Sequence, residues 1–304
     1  MTIYIKEILF LNNILDSDLL IPPLGAYHIH NSQTRDGIIL GAYFGERILG
    51  IAVFEFIPQP RLTYVFVEED FRGHSIGTQL IRAALTHASG KGAAAVGACV
   101  IIQNEYGEVC DHILMKTGFE IVDTATIIRY ASDERCSRIW TAFMKEKGTR
   151  IHSVLTGRGF KTLPFSEASP ETFDRLKASI GMEFVSNLDP FKFISNQNDR
   201  LVPDYSFITL KNDAPVAFVI VTTVDDKSVV FQQMSITLKH QGSGVFLLPF
   251  AAFMEKFLEG DVYSKMAAVV FDGNEKMQRM LRGLIGLLSE SMKTQNVYHC
   301  KLEK

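Results

Sequence analysis

The sequence of 304 residues is short of several features that would fix a function class at once. Its four cysteines, Cys99, Cys110, Cys136 and Cys300, include no Cys-x-x-Cys pair. Neither a zinc cage nor a disulfide framework is indicated, and the thiols are read as reduced. Lysine and arginine form no basic tract and the formal charge is −3, which leaves no electrostatic footprint for nucleic acid. A membrane helix needs roughly 20 apolar residues. The longest apolar run, 245–254, falls well short of that. Near the start, Lys6, Glu7, Asp16 and Asp18 interrupt the apolar residues, so the core of a signal peptide is missing. The expectation is a cytoplasmic protein with no membrane, nucleic-acid or metal partner. His28 and His30 would share one face of a strand, but without a third ligand nearby they do not make a metal site.

What is present is the composition of a well-packed globular chain, 47% hydrophobic and 21% charged, long enough for two domains. Residues 38–43, 48–56 and 62–67 read as three short strands separated by Gly45-Glu46-Arg47 and Pro58-Gln59-Pro60, an antiparallel meander. Ile76, Leu80, Ile81, Ala84 and Leu85 then recur at helical spacing. A small-residue strand at 94–102, a helix at 109–117, a stop at Gly118-Phe119 and a strand at 121–130 follow.

The same order returns downstream. Strands at 207–210, 216–223 and 228–236 lead into Lys239-His240-Gln241-Gly242-Ser243-Gly244, an apolar helix and a strand at 267–271. The offset from Arg72 to Lys239 and from Gly77 to Gly244 is 167 residues, and the same shift sets Leu40 on Phe207 without a gap. Such a period is read as a structural duplication. Between the halves, residues 132–147 carry Cys136, Ile139, Trp140, Phe143 and Met144 on one helical stripe. Ser169-Pro170 opens a further helix, with serine at the N-cap and proline at the first helical position. The expected domains are 1–131, a connecting helix and linker at 132–158, and 159–304.

The segment Val67-Glu68-Glu69-Asp70-Phe71-Arg72-Gly73-His74-Ser75-Ile76-Gly77 opens the first helix after the meander. Small residues there let the backbone approach a diphosphate, whose charge is met by unpaired amides and the helix dipole. The segment resembles the acetyl-CoA signature of the GCN5-related N-acetyltransferase (GNAT) superfamily, Q/R-x-x-G-x-G/A, with Ser75 where the first glycine stands. The turn follows an antiparallel meander, not the first strand of a parallel βαβ unit, and lacks a Gly-Lys-Ser/Thr ending. The resemblance implies an α/β (mixed α+β) fold of two tandem GNAT-like domains, each a mostly antiparallel mixed sheet flanked by helices. It implies acetyl-CoA as co-substrate and no metal. It also implies a cofactor site of Phe66, Val67, Arg72, Gly73, His74, Ser75, Ile76, Gly77, Thr78 and Asn104.

Acyl transfer to an amine needs a proton acceptor, a polarised thioester carbonyl and a proton for the departing thiolate. The family's strand-borne glutamate and helix-borne tyrosine are absent here, since residues 62–65 carry no carboxylate and Leu114 stands four before Gly118. Glu55, a lone carboxylate in an apolar run, is the candidate base, and Tyr64 the candidate acid or acceptor-orienting group. In the second half Gln232 and Gln233 cannot act as bases, and Pro249 is expected to bend the helix. Cys99 is read as a small core residue. The expected activity is transfer of an acetyl group to a primary amine by direct attack in the N-terminal half. The alternatives are an inactive acyl-CoA-binding regulator, or activity in the second half.

Overall fold

The computed structural model describes residues 2–8, 19, 28–29, 32, 36–56, 59–103, 105–185, 188–194, 201–223 and 225–302. They form two compact units, one of Met1–Ala125 with Lys293–Lys304 and one of Thr126–Met292.

In the first unit, β1 (Tyr4–Glu7), β2 (Ile38–Phe44), β3 (Arg47–Glu55) and β4 (Arg61–Val67) lead to α1 (Ile76–Gly90), β5 (Ala95–Ile101) and α2 (Gly107–Lys116). The sheet runs β1-β2-β3-β4-β5 and is completed beside β5 by β12 (Ser291–Lys301), the last strand of the chain. Only β4 and β5 are parallel; the other described pairs run antiparallel. Alternation along the strands divides the side chains between two cores. Ile38, Leu40, Ala52, Phe54, Leu62, Val96 and Ala98 pack against Ile76, Leu80, Ile81 and Ala84 of α1. Ile39, Tyr43, Ile51 and Val53 pack on the other face with Ile8, Leu19 and Ile29. Full burial of a Val, Leu, Ile or Phe side chain such as these stabilises the fold by about 1.5–3 kcal/mol over its exposed state.

The second unit takes the end of β6 (Glu120–Ala131), then α3 (Glu134–Phe143), α4 (Thr149–Gly157), β7 (Phe160–Pro164) and α5 (Pro170–Ser179). It continues with β8 (Phe207–Lys211), β9 (Ala214–Thr223), β10 (Ser228–Ile236), α6 (Leu247–Glu259), β11 (Lys265–Phe271) and α7 (Glu275–Met280). Its strands lie in the order β6-β11-β10-β9-β8-β7, with β10 and β11 parallel. The stripe expected on the connecting helix is its inner face: Cys136 and Trp140 are buried, with Ile139, Phe143 and Met144 packed around them. Ser169 Oγ caps α5 by accepting from Thr172 N, with Pro170 as the first helical residue.

Several expectations change. The sequence sets 159–304 apart as one piece. Instead β12 pairs with β5 in the register Ala98↔Tyr298 and Val96↔Cys300, and residues 293–304 belong to the first unit. Tyr298 and Cys300 are buried in the α1-side core, which gives the C-terminal strand its hold there. His28 and Ile29 are helical, so the expected strand face with two imidazoles does not exist; His30 lies outside the described residues. Cys99 is exposed and not a core residue. Among the described residues, no helix is long and apolar enough to cross a membrane.

The Tyr298 hydroxyl donates to Asp111 Oδ1 on α2 and accepts from Asn296 Nδ2, so one polar group ties the last strand to a helix of the first unit. Burial, with the Asp111 carboxylate beside it, pushes the phenol up to about 12. A raised folded-state value means the stabilisation is whole below the unfolded phenol's ordinary value, near 10, and is lost as pH rises toward the folded value. Denaturant unfolding at increasing pH should therefore show stability falling between those two values. Tyr298→Phe should fall less over the same window, and equal falls would show that Tyr298 does not carry the effect.

Candidate functional site

β4 and β5 run side by side only at their beginnings. They pair at Arg61↔Gly97 and Leu62↔Ala98, with Gly97 N donating to Pro60 O at 2.9 Å, and no further pairs join them. β4 stays paired with β3 as far as Gly50↔Val67, and β5 stays paired with β12 as far as Ile101↔Gln295. Each strand is held from its outer side, so their inner edges diverge into a slot. A bulge at Thr63 marks the start. The β3 register steps from Val53↔Tyr64 to Phe54↔Leu62, leaving Thr63 as the extra residue, and such a bulge re-aims a strand. It also sets Arg61, Tyr64 and Phe66 on one face of β4, the face turned from α1.

The turn beyond β4 supplies donors at the mouth of the slot. Glu69–Phe71 make a short 3-10 turn, Gly73 takes φ +82° and Ser75 takes φ +60°. Among the described residues, the amides of Gly73, His74, Ser75, Ile76, Gly77 and Thr78 donate to no protein acceptor, and the first bond closing α1 runs from Gln79 N to Ser75 O at 3.0 Å. Alternating left-handed residues before a helix N-terminus make a concavity suited to an anion. Gly77 faces Val67 and Ile113, and a Cβ there would lie 3.6 Å from Ile113 Cδ1. These features fit a diphosphate at the turn and an extended arm along the slot, as acetyl-CoA has.

Arg72 closes the mouth from the side of β4. Its Nε donates to Val67 O at 3.1 Å and its Nη1 to the Tyr106 hydroxyl at 3.2 Å, with the guanidinium 4.7 Å from the centre of the Tyr106 ring. Tyr106, just ahead of α2, had no sequence signal, since a lone aromatic between elements belongs to no period. His74 Nδ1 lies 3.1 Å from Arg72 O and 3.3 Å from Phe71 O. Glu68 pairs with Arg47 at 2.6 Å, a structural role. Asn104 lies outside the described residues.

On the face turned from α1, Tyr64 stacks between His28 and Phe66, with ring centres 5.7 and 6.5 Å away. Burial raises the Tyr64 phenol above its ordinary value, so it keeps its proton at neutral pH. Glu55 is 1% exposed and faces Arg61 across the strands, Oε2 to Nη2 at 3.3 Å. Burial and this pairing suit it to holding the guanidinium. Packing around the Cys99 sulfur raises its thiol, with Gln295 and Arg61 acting weakly the other way, so this exposed cysteine is no activated nucleophile. Leu114, where the family's helix-borne tyrosine would stand, is buried.

The second unit repeats the arrangement with a different register. β10 and β11 pair from Ser228↔Lys265 to Phe231↔Ala268 and then part, and Gln232 is the bulged residue. The first hairpin keeps the offset of 167, since Phe44 and Arg47 correspond to Lys211 and Ala214 at the strand ends. Beyond it the second hairpin is two residues longer between matching pairs, since Ile220 pairs with Gln233 where Val53 pairs with Tyr64, and the offset becomes 169. The 3-10 turn Leu238–His240 then matches Glu69–Phe71, and Gly242 and Gly244, at φ +79° and +81°, match Gly73 and Ser75. The gapless superposition is corrected accordingly: Arg72 corresponds to Gln241, and Gly77 corresponds to Phe246, not Gly244. Phe246 packs on the core. Ser243 N donates to His240 O, Val245 N to Ser243 Oγ and Leu247 N to Gly244 O, so half the matching amides are already used. Pro249 is the third residue of α6, within the first turn, where its missing N–H delays the helix start and does not bend its interior.

Residues 11–107 match the model of the Acetyltransferase (GNAT) family. The fold is similar to that of a tandem GNAT protein from the clavulanic acid biosynthesis pathway, with TM-score 0.65 and 11% identity, covering 100% of this chain and 99% of that one. Residues 11–107 are thus similar to the GNAT family, and the fold of the chain is that of a tandem GNAT protein. Other similar folds are the glucosamine N-acetyltransferase region of a fungal multi-domain β-N-acetylglucosaminidase, with TM-score 0.64 and 14% identity over 98% of this chain and 38% of that one. A GNAT protein from Sphaerobacter thermophilus gives TM-score 0.60 and 11% identity over 88% of this chain and 81% of that one. At such identities the likeness speaks for the fold alone. Comparison with curated proteins gives no match. The tandem GNAT architecture expected from the sequence is thus borne out.

Ser75 holds a left-handed conformation that costs an L residue about 1 kcal/mol or more, whereas its counterpart is glycine. Ser75→Gly should therefore stabilise the first unit by about 1 kcal/mol in denaturant unfolding, and Gly73→Ala should destabilise it by a similar amount. A destabilised Ser75→Gly variant would show that the serine side chain contributes more than its backbone strain costs.

Proposed function

We propose that this protein is an N-acetyltransferase that moves the acetyl group of acetyl-CoA to a primary amine, by direct attack in the N-terminal unit. The observation that carries the reading is the slot that opens after Leu62↔Ala98 with a row of unengaged amides, Gly73 to Thr78, at its mouth. Those amides, the start of α1 and Arg72 bind the diphosphate, while Phe66 and Val67 offer backbone groups to the arm in the slot. The bound thioester supplies an activated acetyl group. Thr63 and Tyr64, where β4 parts from β5, set the depth at which that group stops, and Tyr64 holds a proton for the thiolate that leaves. Glu55 holds Arg61 at the inner end of the slot, on the same face.

The second unit supports the fold and not the chemistry. Its turn is partly occupied by its own bonds, and Phe246 fills the position that Gly77 leaves small. Thr222 and Gln233 stand where the first unit has Glu55 and Tyr64, and neither is an acid or base at neutral pH.

Calorimetric titration of acetyl-CoA into wild type, Gly77→Glu and Gly244→Glu tests the reading, with circular dichroism to verify folding. Binding should be lost in Gly77→Glu, where a carboxylate would meet the diphosphate, and kept in Gly244→Glu. Thiol release is then followed with a panel of amines, including glucosamine, polyamines and peptides. If wild type does not bind acetyl-CoA the proposal fails; binding without turnover across the panel would favour an acyl-CoA-responsive regulator.

A further inference from the structure

The face of the slot turned from α1 carries an acid-base residue that the sequence pattern offers only as half of a histidine pair without a third metal ligand. Ile29 is buried among Ile39, Ile51 and Val53, and Ser32 Oγ closes the same helical turn on Ile29 O at 2.8 Å. This turn is thereby pinned on the sheet. His28, next to Ile29, is half-buried and lies with its ring 5.7 Å from that of Tyr64, at an interplanar angle of 20°. Tyr64 is the residue directly after the bulge, where β4 leaves β5. The imidazole is thus set over the point where the slot opens.

Among the described residues, the other titratable side chains of this face beside β4 and β5 are ill suited to taking a proton from an amine. Glu55 is enclosed and paired with Arg61, the phenol of Tyr64 and the thiol of Cys99 hold their protons, and Arg61 is a cation. His299 faces the same side, but it stands opposite Gly97, on the far edge of β5 from Tyr64. Imidazole is the side chain whose ordinary pKa lies nearest neutrality.

We propose that His28 is the general base of the first unit, taking a proton from the amine as it attacks, an inference that rests on the transferase reading above. The amine nitrogen forms a bond to the acetyl carbon as the carbon–sulfur bond breaks. One amine proton passes to an imidazole nitrogen, and the thiolate receives a proton from the Tyr64 hydroxyl or from water. Return of the proton from His28 to Tyr64 or water restores both groups. Tyr64 is also a positioning residue, since its ring sets the plane of the imidazole.

Two measurements test this, one without turnover. Diethyl pyrocarbonate should carbethoxylate His28, read by mass spectrometry of peptides, and saturating acetyl-CoA should slow that reaction several-fold while leaving exposed histidines such as His152 unchanged. With whichever amine wild type accepts, His28→Ala should lower kcat by about a hundredfold and leave the calorimetric affinity for acetyl-CoA unchanged. Added imidazole should restore part of the rate. An undiminished rate in His28→Ala, a loss that imidazole does not restore, or modification of His28 at the same speed with and without acetyl-CoA overturns the proposal. Absence of thiol release by wild type with every amine removes the transferase reading itself, which is a different result.

Discussion

Everything at the site follows from two strands that are paired on their outer edges and released from each other on their inner ones. A parallel pair normally gains a ladder bond at every other residue, and leaving those groups unpaired costs free energy unless water or a ligand meets them. The first unit accepts this cost from Thr63 onward. It can do so because β3 and β12 keep β4 and β5 in place from either side. The bulge at Thr63 starts the divergence and also turns Arg61, Tyr64 and Phe66 to one face. A single extra residue therefore creates the slot and selects the side chains that surround its inner end.

The C-terminal strand belongs to this same constraint. Without β12, β5 would have free edges on both sides beyond Ala98 and nothing to hold it apart from β4. Tyr298 pairs with Ala98, which pairs in turn with Leu62, so the last shared row before the slot opens runs across three strands. The polar tie from Tyr298 to Asp111 adds α2 to that row. Residues more than two hundred positions apart, Leu62 and Tyr298, thus define the geometry of one site.

Much of this was legible in the sequence, for physical reasons that also explain what was not. The meander showed through its alternation and its turn residues, α1 through the spacing of Ile76, Leu80, Ile81 and Ala84, and the cap of α5 through Ser169-Pro170. These are local signals. The partner of β5 is not local: alternation tells which face a residue occupies but not which strand lies beside it, and 121–130 and 291–301 both alternate well enough. The offset of the repeat was read from matching glycines, while the backbone matches left-handed positions, one of which is Ser75. Counting residue types therefore missed the two extra residues of the β9–β10 hairpin. The pair His28 and His30 suggested a strand because two residues apart is also the strand period, whereas the burial of Ile29 fits one turn of helix laid on the sheet. Glu55 was legible as an isolated carboxylate, but its opposite number Arg61 required the register.

The second unit separates what the turn does for folding from what it does for a ligand. A chain leaving a strand must reverse sharply to enter a helix packed on that strand, and left-handed residues at two alternate positions make that reversal in both units. Gly242 and Gly244 are therefore explained by the fold, whether or not an anion is ever bound. The ligand requirement is narrower: the amides must be free of protein acceptors and the helix must begin with a small residue. The first unit meets both with Gly73 to Thr78, even though Ser75 is a strained choice for its backbone. The second has the better glycines and yet spends its donors on His240, Ser243 and Gly244, with Phe246 where the helix should be small. A glycine count would rank the two turns the wrong way round, because glycine reports the shape of the backbone and only the fate of its amides reports what the shape is for.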